Sequence, residues 1–164
     1  MTEQASQGVK RDLNIRWMIR RDMPEVTDIE SMSFPTPWSE KELLSVLRGR
    51  NCIGMIVEFG DGPRDRPVVG YMVYELCERR LRLLNLAVHP AWRRRGVGLA
   101  MAEKLKSKLS VSRRNRITLD LWERSLDAQL FFREMGFRCE KIRHGFFNNG
   151  EDDALRMVYR LEER

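Results

Sequence analysis

The amino-acid sequence predicts a single α/β domain, a mixed and mostly antiparallel sheet of about seven strands with helices on both faces. Three observations lead there. The chain has 164 residues, which fits one domain and suffices to bury a proper core. Its 42% apolar and 33% charged content is ordinary for a folded globular protein and argues against global disorder. Apolar residues alternate in some stretches and recur every third or fourth position in others, and these stretches follow one another as β-α-α-β-β-β-α-β-α-β-β. No internal repeat or low-complexity segment interrupts the order.

Residues 1–12 (M-T-E-Q-A-S-Q-G-V-K-R-D) are polar and predict a disordered tail, with the folded domain spanning 13–164. Asn14 to Arg20 alternates Ile15, Trp17 and Ile19 against Arg16, Met18 and Arg20, a half-exposed strand. Asp22 and Glu25 have the spacing of a capping box and open a short helix from Met23 to about Met32. Phe34-Pro35-Thr36-Pro37-Trp38 is a rigid aromatic loop. Ser39 and Glu42 form a second capping box, opening a helix through Leu43, Leu44 and Leu47 that ends at Gly49. Cys52–Phe59 and Val68–Leu76 are strands joined by the turn-rich G-D-G-P-R-D-R-P. Further on, Arg116–Trp122 is a strand and Ser125–Met135 a helix with Gly136 at its C-cap. Two final strands, Phe137–Ile142 and Ala154–Leu161, flank a loop containing Asn148-Asn149-Gly150.

The functional signal lies between these, in Leu84–Ala100: L-N-L-A-V-H-P-A-W-R-R-R-G-V-G-L-A. An apolar run of strand length (Leu83, Leu84, Leu86, Ala87, Val88) is stopped by His89-Pro90, because proline cannot continue a ladder. Past Arg93, Arg94, Arg95, Gly96, Val97 and Gly98 the pattern becomes helical, with Val97, Met101, Leu105 and Leu109 on one side. A strand running through a basic, glycine-bearing turn into a helix makes an anion cradle. The first helical amides have no internal partner, the helix dipole adds positive charge, and glycines let the backbone approach a phosphate closely. The spacing excludes a P-loop, and it is not the dinucleotide fingerprint, since no acidic residue is placed to hold a ribose.

Other classes are weakened by composition. The longest apolar run is far short of the roughly 18 residues a membrane span needs. The N-terminus has no apolar h-region, so a cytoplasmic protein is expected. Three cysteines (Cys52, Cys77, Cys139), unclustered and placed on strands, and two histidines suggest buried reduced thiols, with neither a disulfide frame nor a metal site. The net charge of +6 is compatible with anionic partners. No basic-aromatic RNA signature accompanies it, so no direct nucleic-acid binding is expected.

Arg93-Arg94-Arg95-Gly96-Val97-Gly98 resembles the acetyl-CoA signature [RQ]-x-x-G-x-[GA] of the GNAT acetyltransferase superfamily. Within it the chain is most similar to ribosomal-protein-alanine N-acetyltransferases and related protein Nα-acetyltransferases. Pro37-Trp38-Ser39-Glu40-Lys41 resembles that family's loop-to-helix entry, and Asn85-Leu86-Ala87-Val88-His89-Pro90 its strand leading into the cradle. Phe131-Phe132-Arg133-Glu134-Met135-Gly136-Phe137 and Gly145-Phe146-Phe147 with Gly150-Glu151-Asp152 complete the likeness, in the family's order.

The resemblance implies transfer of acetyl from acetyl-CoA, without a metal, to a protein N-terminal amine, with a ribosomal protein among the candidate acceptors. The co-substrate would lie along Leu86, Ala87 and Val88 and on Arg93 to Leu99, including Arg94, Arg95, Gly96, Val97 and Gly98, with Ser125 and Phe132 beside it. Trp38, Phe146 and Phe147 would line the acceptor site, with Phe34 near it. Asp120 takes the place of the family's base, and Glu75 is a second candidate. Phe132 stands where the family has the tyrosine acid, and Phe146 and Phe147 replace two further tyrosines; His144 and Tyr74 are candidate substitutes. Two alternatives stay open: a small-molecule amine acetyltransferase on the same fold, and a catalytically weak acyl-CoA-binding or RNA-associated module.

Overall fold

A computed structural model describes residues 12–60 and 66–162. The expected tail therefore lies outside the described residues except for Asp12, as does the middle of the 60–67 turn. The described elements are β1 (Leu13–Trp17), α1 (Met23–Ser33), α2 (Glu40–Leu47), β2 (Cys52–Phe59), β3 (Val68–Leu76), β4 (Arg80–Val88), α3 (Val97–Lys106), β5 (Arg116–Trp122), α4 (Leu126–Glu134), β6 (Arg138–Phe147) and β7 (Asp152–Arg160). Short 3-10 turns occupy Arg20–Asp22, Pro90–Trp92 and Asn148–Gly150. The strands form one sheet in the order β1-β2-β3-β4-β5-β7-β6. β1–β2, β2–β3, β5–β7 and β6–β7 are antiparallel, while β4 and β5 pair in parallel over Arg80–Arg82 and Arg116–Thr118. Among the described residues no helix is long and apolar enough to cross a membrane.

The chain divides into two compact units. The first takes the described residues up to Glu75 together with Asn85–Leu105. Its core is Val26 and Ile29 of α1, Leu43 of α2, Ile56 and Val57 of β2, Val69, Met72 and Val73 of β3, and Val97 and Met101 of α3, all buried. Two glycines show how its helices sit. In the β2–β3 register Gly54 stands opposite Val73 and Gly70 opposite Val57. Side chains alternate along a strand, so the two glycines lie on opposite faces. A Cβ on Gly54 would come within 2.8 Å of Leu47 in α2, and one on Gly70 within 3.0 Å of Val97 in α3. Helices therefore cover both faces of this unit, and each presses close where the strand has no side chain.

The second unit is Leu76–Leu84 with Lys106 onward. Its apolar centre runs from Phe132 of α4 through Phe137 (ring centroids 5.1 Å apart) to Tyr159 of β7 (5.6 Å). Lys106 closes it by donating to the Met135 carbonyl, with its ammonium 4.4 Å from the Tyr159 ring. β6 is the outermost strand, and nearly all its residues are exposed.

Several sequence expectations are corrected. The Asp22–Glu25 capping box does not form. The Asp22 carboxylate instead accepts from Arg16 Nη1 and Nη2 (2.8 and 2.9 Å) and from the Ile19 amide (2.8 Å), and Glu25 accepts from the Val68 amide (3.0 Å). Tertiary partners have displaced the local motif. At the second box Ser39 Oγ does accept from the Glu42 amide (3.1 Å). α3 ends at Lys106 rather than reaching Leu109, and β6 continues past Ile142 to Phe147 because β7 keeps pairing with it across a register shift. Cys77 lies in the turn between β3 and β4, and Cys139 is exposed, so only Cys52 and Cys77 are even half-buried.

Candidate active site

The expected site residues fall in both units and are described in turn. In the first, β4 hands over to α3 through a tightly bonded turn. The His89 amide donates to the Val69 carbonyl (2.8 Å), and His89 Nδ1 accepts from the Ala91 amide (3.1 Å), starting the 3-10 turn at Pro90. Arg93 folds back, donating from Nε to the Val88 carbonyl (3.3 Å) and from Nη2 to Ser33 Oγ (3.5 Å). Arg95 lies over the Trp92 ring at 5.2 Å, and Trp92 rests on Phe59 with centroids 4.7 Å apart. Two of the three arginines thus brace the turn while all three stay exposed.

Arg94 and Gly96 both adopt left-handed backbone, φ 60° and 87°. Left-handed backbone at Gly96 is what turns the chain into the helix, and a Cβ there would meet nothing within 4 Å, so the space over it is open. The first bond of the helix runs from the Ala100 amide to the Gly96 carbonyl (3.0 Å). The amides of Val97, Gly98 and Leu99 precede it and have no intrahelical acceptor. Open space, helix-start amides and arginine cations together fit a diphosphate. Directly upstream, Leu86 and Val88 are half-buried and Ala87 is buried, as parts of β4.

Trp38 is half-buried, and its amide donates to Glu30 Oε1 (3.0 Å). Glu30 is only 3% exposed, and burial pushes its carboxyl above the usual range even though the Trp38 amide and Asn85 oppose this. Asn85 Nδ2 donates to Glu30 Oε2 (2.8 Å) and to Tyr71 Oη (3.0 Å). No motif pointed to Glu30. Its signal was a charge on the buried stripe of α1, one turn after Val26 and two after Met23. Glu75 is half-buried opposite Cys52. Tyr74 is fully enclosed, its hydroxyl donating to the Met55 sulfur (3.8 Å), and burial pushes its pKa up to about 12.

In the second unit Asp120 stands opposite Arg156 across β5–β7. Its Oδ1 accepts from Arg156 Nε (2.8 Å), and its Oδ2 from Arg156 Nη2 (3.2 Å) and Arg143 Nη1 (3.1 Å). Two guanidinium groups thus engage both of its carboxylate oxygens. Phe132 is 5% exposed, packed edge-on against Phe131 and Phe137. No hydroxyl stands at that position. Ser125 precedes α4, but its side chain does not cap the helix. Phe146 and Phe147 pack edge-to-face (4.9 Å), and Arg143 lies 4.4 Å over the Phe146 ring. Asp153 fixes this corner, accepting from the Gly145 amide (2.9 Å) and pairing with His144 (2.9 Å), whose ring is exposed. Among the described residues no group of His, Cys, Asp and Glu side chains could hold a metal ion.

An open sheet whose fourth strand passes through an anion-ready turn into a helix has the frame of a phosphate-bearing ligand's site. The acetyltransferase (GNAT) domain model matches residues 53–139, more than half of the chain, and the chain belongs to that family. It is an acetyltransferase with acetyl-CoA as co-substrate. An uncharacterized N-acetyltransferase of Methanocaldococcus jannaschii is 27% identical over 143 residues, 86% of this chain and 88% of its own. The [ribosomal protein bS18]-alanine N-acetyltransferase of Escherichia coli is 25% identical over 139 residues, 84% of this chain and 90% of its own. Among solved structures, Ard1 from Thermoplasma volcanium superposes with a TM-score of 0.80 at 21% identity, covering 93% of this chain and 99% of that one. Arabidopsis thaliana NAA60 in complex with acetyl-CoA gives 0.75 at 19% identity, covering 91% and 99%.

Proposed function

We propose that this acetyltransferase acts on the α-amine of a protein N-terminus, as ribosomal-protein-alanine acetyltransferases do, in the cytoplasm. The observation that carries the acetyl-transfer half is the open turn at Gly96, where the helix of Val97–Lys106 begins. The acceptor half is supported by the bS18-alanine relative, which matches most of both chains.

When bound, acetyl-CoA supplies an electrophilic thioester carbonyl and a thiolate leaving group. The amides of Val97, Gly98 and Leu99, with the neighbouring arginines, hold the diphosphate end. The main chain of Leu86–Val88 holds the pantetheine arm and orients the carbonyl. Trp38, in the loop between α1 and α2, receives the acceptor. The amine must arrive neutral, and with a pKa of ~7.7–8.0 a minority of N-terminal amines is neutral at pH 7. The amine forms the C–N bond as the C–S bond breaks, and the surplus proton passes to water. The thiol has a pKa of ~8.5, so the sulfur departs as thiolate without a tyrosine acid.

A panel of peptides with free N-termini, the same peptides blocked, and polyamines, monitored by thiol release, tests the acceptor. Free N-termini, alanine among them, are expected to react while blocked ones do not. Release with polyamines alone would move the protein to the small-amine class, and CoA binding without release from any acceptor would make it a binding module.

A further inference from the structure

Glu30 holds two segments at once. One oxygen takes the amide of Trp38 in the loop between α1 and α2, and the other takes the side chain of Asn85, the residue immediately before Leu86 on β4. We propose that Glu30 is a positioning residue for acetyl transfer, which sets the acceptor loop at Trp38 in register with the β4 segment that holds the co-substrate. The inference rests on the reading that Trp38 meets the acceptor and Leu86–Val88 the co-substrate.

The cluster is built as a clamp rather than as filling. Glu30 is 3% exposed and Tyr71 fully buried, and apolar residues of like volume would occupy the space without the desolvation penalty of a carboxylate. Both oxygens are instead engaged, by partners eight and fifty-five positions along the chain. Asn85 Nδ2 also donates to Tyr71 Oη at 3.0 Å, so β3 joins the same network. A buried carboxylate with both oxygens engaged in this way fixes one arrangement of the segments it joins. Orientation errors near 1 Å cost rate by ~10²-fold, so loosening such a clamp should show in turnover before it shows in coenzyme affinity. The diphosphate cradle is formed by Gly96–Leu99, none of which touches Glu30 in the hydrogen bonds described.

The polarity of the clamp can be inverted. In Glu30→Gln the new amide can still accept from Trp38, but it meets the Asn85 donors unless Asn85 turns its own amide over and withdraws Nδ2 from Tyr71. In Asn85→Asp two carboxylates face each other. The double variant combines the two changes. The introduced amide on α1 then donates to the introduced carboxylate on β4, which also accepts from the Tyr71 hydroxyl. Each bond between the clamp's side chains is restored with its direction reversed, and the Trp38 amide keeps its acceptor.

The experiment measures steady-state kinetics with an N-terminal peptide, the CoA dissociation constant and the thermal midpoint on the full chain. Each single variant, and Glu30→Ala, is expected to lower kcat/KM for the peptide about 10- to 100-fold. CoA affinity should stay within about twofold, and the double variant should recover kcat/KM to within about threefold. If Glu30→Ala loses its cooperative melt, the inverted pair alone decides. Unchanged kinetics in the single variants overturns the inference, as does a double variant that recovers the midpoint without the kinetics. Failure of the underlying acceptor reading looks different, because the wild-type protein would then acetylate no peptide at all.

Discussion

Asp120 illustrates what one residue's surroundings do to its chemistry. Its side chain accepts three guanidinium hydrogen bonds, two of them from Arg156 directly across the ladder. We therefore expect Asp120→Asn to cost stability, about 1.5–3 kcal/mol for a charge-assisted cluster, seen as a lower thermal midpoint. If turnover drops at least tenfold while the midpoint holds, Asp120 acts as the base. Sequence alone pointed to Asp120 but not to Arg156, since the pairing depends on the β5–β7 register and no residue-level pattern states a register. Phe132 was legible in identity but not in setting. A phenylalanine at the expected tyrosine position is visible in the chain, whereas its burial against Phe131 and Phe137 follows only from where α4 lands.

At the level of elements, the bounds of β2, β3 and β5 were readable from alternation and turn residues, because each ends where a turn or proline stops it. α3 was readable in its start and not in its end, since Leu109 keeps the helical spacing while the chain has already left the helix at Lys106. Gly96 tests the turn before α3. Gly96→Ala places a side chain on left-handed backbone at a cost of about 1–2 kcal/mol and strains the turn that aims the helix-start amides. CoA affinity is expected to fall at least tenfold by titration calorimetry; unaltered affinity would remove the cradle. Gly70 tests the packing of α3. A Cβ there would meet Val97, Ala87 and Met101 at 3.0–3.1 Å, so Gly70→Ala should destabilise by about 1–3 kcal/mol in denaturant melts.

For the whole molecule, pH acts through stability and through the reaction separately. Burial alone would raise the carboxyls of Asp22 and Glu58. Their hydrogen bonds outweigh it, from Arg16 and the Ile19 amide to Asp22 and from Asn14 and Arg16 to Glu58, so both lie below their ordinary values of 3.8 and 4.5. Their contribution is fully present above those ordinary values and is lost as pH falls through the depressed ones. Glu30 has the opposite sign, since its raised carboxyl removes stability as pH climbs above 4.5. Urea melts between about pH 2 and 6 should therefore show an acid limb that Asp22→Asn flattens. The reaction should follow the amine, half-maximal near its pKa of ~7.7–8.0 and level about one to two units higher; a fall on the alkaline side would indicate a protein acid. The exposed outer strand β6 bears on behaviour in concentrated solution. Its Arg138, Glu140 and Lys141 ring a ladder of unshared peptide groups with charge. Colloidal stability hangs on that fringe: stripped to serine or valine, the fringe would no longer stop one molecule from zipping onto the next, and light scattering would climb with protein concentration well before any loss of fold.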